Sequence, residues 1–172
     1  MVQGRRNPAH VGFPSRLKRA RLDSELPKTA LSLDAGLANN AIANLEAGAR
    51  VPGIDTIERL ARTLGVSICW LAFGIEQAHA PDDEPSCASM GQRLRLARDR
   101  AALSARALAV TAEISAPTVL RIEKGLFFPR LDTAESLSRA LRVSACWLTF
   151  GIGPQELPPR RKVRTAQPDA RD

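Results

Sequence analysis

With 172 residues, a hydrophobic fraction of 44% and a net charge of +7, the chain has ordinary globular composition but little length per core if it divides. Tyr is absent and aromatics make up 4%, so any core rests on Leu, Ile, Val and Ala, which favours helical bundles over sandwiches. No apolar run reaches the ~18 residues of a membrane span, and no signal-peptide stretch is present.

Residues 1–12 carry Gly, Pro and two arginines and read as a flexible arm. From Phe13 the chain states one pattern twice. Phe13–Ile75 aligns with Met90–Ile152 at an offset of 77 without a gap, and 25 of the 63 positions are identical. None of the identities falls in positions 36–45 against 113–122. A scaffold is shared and one surface differs. Apolar residues recur at i, i+3, i+4 spacing, which predicts helices near 15–23, 27–34, 38–46, 55–64 and 67–73, and again 77 residues later. No segment alternates with period two, so no strand is expected. Ser104, Ser115 and Asp132 stand where N-caps belong, and Gly48 and Gly125 where helices end in a left-handed residue. Residues 76–89 form an acidic, Pro-containing linker, and 153–172 a basic disordered tail. The regional net charges are +2 for the arm, +2 and +5 for the two repeats, −4 for the linker and +2 for the tail. The expected fold is all-α, two tandem five-helix bundles at 13–75 and 90–152.

Three cysteines with no C-x-x-C pair argue against a disulfide scaffold or zinc site and for a reducing cytoplasm. Cys69 and Cys146, at equivalent positions, read as small buried hydrophobes. The only histidines, His10 and His79, fall in the arm and the linker. There is no phosphate-binding loop, nucleophile elbow or metal-ligand cluster, so no enzyme activity, cofactor or metal is expected.

Within each copy two short helices meet across a tight turn, in Lys28–Gly48 and Ala105–Gly125. Small residues at the turn and apolar anchors after it make a helix-turn-helix pattern. The R-L-x-x-A-R opening (Arg16–Arg21, Arg93–Arg98), the apolar-x-x-apolar-Glu-x-Gly close of the third helix, the Pro-x-x-Asp-Thr that follows and the Leu-x-Val-Ser-x-x-Trp-Leu end occur in order, twice. In these motifs the chain resembles the Cro/repressor-type (XRE) helix-turn-helix proteins of phages and bacteria, over nearly the whole of both repeats. The resemblance implies five-helix domains whose third helix enters the DNA major groove.

Carried onto this sequence, the base-reading face is Asn39, Asn40 and Asn44 in the first repeat. The matching positions of the second are Ala116, Pro117 and Arg121, with Thr118 beside them. Asn can pair bidentately with adenine, and Arg121 can read guanine or hold a phosphate; Ala116 and Pro117 offer no donor. Lys28, Arg50, Lys124 and Arg130 are the candidate phosphate contacts. Lys28 and Ala105 stand where the family often has Gln. The loop after the third helix is Ala49-Arg50-Val51 in one copy and Leu126-Phe127-Phe128 in the other. Phe128, at the Val51 position, is expected in the core and Phe127 outside it, shifting the second copy toward protein contact. Trp70, Leu71, Trp147 and Leu148 end the fifth helix, where the family dimerises; they read as interface or as core plug.

The leading reading is a sequence-specific, double-stranded-DNA-binding transcriptional repressor, bacterial or phage-encoded and nucleoid-associated. It acts as an intramolecular pseudo-dimer or as a homodimer. The alternative is an antitoxin-like or partner-binding regulator whose second repeat is mainly a protein-interaction module.

Overall fold

The computed structural model describes residues 8–76 and 89–155. The first repeat holds α1 (Phe13–Asp23), α2 (Lys28–Asp34), α3 (Ala41–Glu46), α4 (Ile54–Leu64) and α5 (Ile68–Phe73). The second holds α6 (Met90–Arg100), α7 (Ala105–Thr111), α8 (Ala116–Glu123), α9 (Leu131–Leu141) and α10 (Ala145–Phe150). No strand occurs among the described residues, apart from one isolated antiparallel bridge between Gly53 and Arg130. Nor is any described helix long and apolar enough to cross a membrane.

Helix ends follow local chemistry. Ser104 and Ser115 cap α7 and α8 by accepting from Ala107 and Thr118 N–H, satisfying amides that the helix leaves unpaired. Gly48 and Gly125 both sit at φ +69°. Asp132 is not the cap of α9. That helix starts at Leu131, and the Leu131 N–H is taken by the Pro52 carbonyl of the other repeat at 2.9 Å. Asp132 instead pairs with Arg130 at 2.5 Å and accepts from the Thr133 N–H at 2.7 Å.

The two repeats pack on each other through equivalent residues. Ile54 N–H donates to Pro129 O at 3.2 Å while Leu131 N–H donates to Pro52 O; 54 and 131, and 52 and 129, are related by the offset of 77. The phenyl rings of Phe73 and Phe150, also equivalent, lie 6.3 Å apart. Such reciprocity marks an approximate two-fold axis between the copies. The cores interlock there: Leu131, fully buried, belongs to the core of the first repeat, and Ile54 to that of the second. Each repeat thus adds to the other's core, which strengthens bundles of about 60 residues that are marginal on their own.

Three sequence expectations change. Cys69 and Cys146 are not independent hydrophobes but a disulfide, with Cα atoms 5.7 Å apart across the axis. Two residues 77 apart give no spacing signal, and only the two-fold packing brings them together. The arm is ordered at its end: Ala9–Gly12 forms a 3-10 turn packed on α9 of the second repeat. Ala9 N–H and His10 N–H donate to the Glu135 carboxylate at 2.7 and 3.0 Å, and the His10 ring pairs with it at 2.7 Å. Burial pushes the Glu135 carboxyl up, but these donors outweigh it and hold it below the usual range. Finally, the tail begins tethered, because Ser144 N–H donates to Gln155 O at 2.9 Å, and the linker's last residue, Ser89, is the capping-box residue of α6. Arg5, Arg6, His79, Cys87 and the cluster Arg160–Arg164 lie outside the described residues.

Replacing both cysteines by alanine should lower stability without reductant by about 4 kcal/mol, from the loop entropy of a 77-residue separation. Denaturant melts of the two proteins, with and without reductant, check this. Leu131→Ala should cost about 2–5 kcal/mol and, although it lies in the second repeat, expose first-repeat amides to hydrogen exchange. Loss of protection confined to the second repeat would contradict the shared core.

Candidate nucleic-acid interface

The opening motif of each repeat explains how the third helix is held. Arg16 donates from Nε and Nη2 to the Leu71 and Ala72 carbonyls at 2.9 and 2.7 Å, and Arg93 does the same to Leu148 and Thr149 at 3.0 and 2.7 Å. These bonds satisfy the open carbonyl end of the fifth helix and tie it to the first. The second arginine of the motif pairs with the glutamate that ends the third helix. Arg21 meets Glu46 at 2.6 Å and Arg98 meets Glu123 at 2.6 Å, with both glutamates nearly buried. Where α6 passes the end of α8, only a glycine fits. A Cβ on Gly91 would stand 2.5 Å from the Ile122 carbonyl and 2.7 Å from that of Glu123.

The turn between the second and third helices needs one left-handed residue. Gly36 adopts φ +63° at no steric cost, whereas Glu113, its counterpart, is held at φ +57°. In the first repeat the turn is braced further. Arg59 of α4 donates to Gly36 O at 3.1 Å while paired with Asp55 at 3.3 Å. The fully buried Ser32 hydroxyl donates to Asn39 O at 3.3 Å. Sequence reading missed both residues; an Asp/Arg pair four apart on α4 was the available signal for Arg59.

The reading faces then diverge. The third helix of the first repeat starts at Ala41, three residues later than its pattern predicts, because Ala38 stands where Ser115 caps α8. Asn39 and Asn40 therefore lie in the turn leading into α3, both exposed, with Asn44 half-buried on the helix. Asn40 occupies the N-cap position, yet its side chain does not cap. None of the three side-chain amides is hydrogen-bonded within the described residues. In the second repeat the corresponding positions are Ala116, Pro117 and Arg121, and the polar side chains near them make contacts within the chain. The Thr118 hydroxyl bonds the Ser115 hydroxyl at 2.7 Å, and the Arg121 guanidinium lies over the Phe127 ring, 5.5 Å from its centroid.

Helix-turn-helix family profiles match both copies, one over residues 17–71 and another, described as a helix-turn-helix domain, over 89–146. The chain consists of two tandem XRE-like helix-turn-helix units. A comparison with curated proteins finds no match. The tandem helix-turn-helix protein is accordingly a DNA-binding regulator.

Its basic residues are disposed unequally. Lys28 opens α2 and lies 3.4 Å from Glu46, with about half its side chain exposed. Arg50 is exposed in the loop after α3. Lys124 is exposed at the end of α8, and Arg130 is exposed but paired with Asp132. Phe128 is not core: it is 66% exposed, more than Phe127 at 38%. In the first repeat Val51 packs against the core beside Phe13 and Pro14; the second has Met90 and Gly91 at the latter two positions, so no proline ring covers the larger side chain. Leu71 and Leu148 are fully buried and Trp147 nearly so, which makes them core, while Trp70 is half-buried on the first core. The contact between the fifth helices runs instead through Cys69–Cys146 and Phe73–Phe150.

Burial pushes the Glu46 carboxyl up, but Arg21 and Lys28 outweigh it and hold it below its ordinary value. A depressed carboxylate stabilises the fold above the unfolded pKa of about 4.3, and that contribution is lost as pH falls through the folded value. Glu46→Gln should therefore cost about 3–5 kcal/mol at pH 7, with the gap to the parent closing below about pH 4. Urea melts across that range test it; a pH-independent gap would show that the charge is irrelevant.

Proposed function

We propose that the protein is a sequence-specific transcriptional repressor that binds the major groove as a single-chain pseudo-dimer, with α3 as its principal base reader. The observation that carries this reading is the trio Asn39, Asn40 and Asn44. Asn is a poor helix former whose side chain normally serves the backbone at a helix start. Here all three amides are left unbonded, those of Asn39 and Asn40 just ahead of the third helix and that of Asn44 on it. An amide that neither caps nor pairs within the chain is free to pair with adenine N6 and N7, which supports this reading. Lys28, beside Glu46, and Arg50, in the loop after α3, serve as phosphate contacts toward the far end of that helix. The second repeat offers Arg121, Lys124 and Arg130 to phosphates, with Thr118 the remaining candidate for a base edge.

The disulfide and the reciprocal bridge restrain the two units, so the preferred site is one pair of half-sites of unequal sequence, roughly 34 Å apart, filled by one chain. A repressor of this kind works on the nucleoid, and in a reducing cytoplasm the Cys69–Cys146 bond would open and leave the reciprocal bridge and shared core as the restraint. The exposed Leu126–Phe128 loop favours an added partner-binding role for the second repeat.

Asn40→Ala should reduce discrimination for the selected site over random duplex by about 1–3 kcal/mol. Lys28→Ala or Arg50→Ala should weaken binding to both alike and lower the salt slope by about 1 each. Binding-site selection followed by anisotropy titrations at several salt concentrations measures these quantities. Equal losses on selected and random DNA for Asn40→Ala would sink the readout claim.

A further inference from the structure

We propose that the outer face of α8 and the loop behind it form a docking site for an acidic, amphipathic protein segment. The site deepens the companion role given above to the second repeat. Four large apolar side chains are exposed there: Leu120 at 44%, Leu126 at 68%, Phe127 at 38% and Phe128 at 66%. The equivalent positions of the first repeat hold Ala43, Ala49, Arg50 and Val51, so the patch is not part of the shared scaffold. Leu33 and Val110, also exposed, occupy equivalent positions of both copies and belong to that scaffold, while Val11, Leu22, Ile75 and Leu96 are exposed at single positions elsewhere in the chain. Three of the four are consecutive in the chain, and a cluster of exposed apolar side chains on a small protein marks an interaction surface.

Charge selects the occupant. Arg121 lies over Phe127, Lys124 stands one residue before the glycine that starts the loop, and Arg130 follows it, neutralised in part by Asp132. Lys124 forms no ion pair among the described residues. The nearest carboxylate on α8, Glu123, is turned inward to Arg98. An apolar strip rimmed by cations fits a helical segment with an apolar stripe and carboxylates on its flanks. A second copy fits less well, since a two-fold contact through this face would gather Arg121 and Lys124 of both chains at one interface with no exposed carboxylate on α8 to meet them. Base reading suits this face poorly, because Pro117 and Leu120 are exposed on α8 and the Thr118 hydroxyl is paired with that of Ser115, while Arg121 keeps its N–H donors for phosphates, in keeping with the companion role above. Phosphates gain nothing from leucine and phenylalanine. The partner's carboxylates would meet the cations that otherwise serve phosphates, so docking and DNA contact by the second repeat exclude one another.

The test uses the full chain and a fluorescent peptide of ~18 residues, with Leu at i, i+3, i+4 and i+7 and Glu on both flanks. The same peptide with Lys in place of Glu, and a scrambled acidic one, serve as controls. The acidic amphipathic peptide should bind at least tenfold more tightly than either control. Leu126→Ser/Phe128→Ser should weaken that binding at least tenfold, and Lys124→Glu should shift preference toward the Lys peptide. Because the substituted side chains are exposed, circular dichroism should show both variants folded as the parent. Equal binding of the three peptides overturns the proposal. So does a Leu126→Ser/Phe128→Ser protein that loses duplex affinity but not peptide affinity, which would assign the surface to DNA. Sedimentation showing a dimeric parent and a monomeric variant overturns it in favour of a second copy. Asn40→Ala leaves the peptide result untouched, so failure of base readout by α3 is scored separately.

Discussion

The structure depends on a reciprocal exchange at the axis between the repeats. Two backbone hydrogen bonds, Ile54 N–H to Pro129 O and Leu131 N–H to Pro52 O, join the segments that lead into α4 and α9. The side chains that follow cross over, Leu131 into the first core and Ile54 into the second. Five short helices bury too little apolar surface to be more than marginally stable alone. The exchange makes the two units a single interlocked core, and the disulfide between Cys69 and Cys146 closes it covalently.

Such an arrangement frees the outer surfaces to diverge. Each third helix is anchored from behind by its Arg–Glu pair and its buried apolar residues, Ile42 and Leu45 or Val119 and Ile122. None of these anchors points toward a ligand. Substitutions on the outer face therefore cost the core little, and the two faces differ in kind. One presents unbonded amides before and on a helix whose start lacks a side-chain cap. The other presents a capped, proline-stiffened helix whose threonine hydroxyl is used internally, whose arginine lies over a phenyl ring and whose loop is apolar.

Much of this was legible in the chain because it is local. Helical periodicity, Ser caps at 104 and 115, glycines after the third helices and the doubled motif set the elements to within a few residues. The late start of α3 follows from Ala38 replacing a capping serine, a difference visible in the alignment but outweighed there by the apolar pattern. The motif arginines were visible too, but their structural work was not. Nothing in R-L-x-x-A-R says that the first arginine holds the end of the fifth helix and the second holds a buried glutamate.

The sequence by itself determined the all-α class, the two helix-turn-helix units and the contrast between their third helices, since each rests on neighbours within a few turns of chain. Tertiary structure alone decided what lies between the units. The Cys69–Cys146 bond, the crossing of Leu131 and Ile54, the docking of Ala9 and His10 on Glu135 and the exposure of the Leu126–Phe128 loop depend on residues far apart in the chain. Their positions follow from a two-fold packing of whole domains, which periodicity and spacing do not encode.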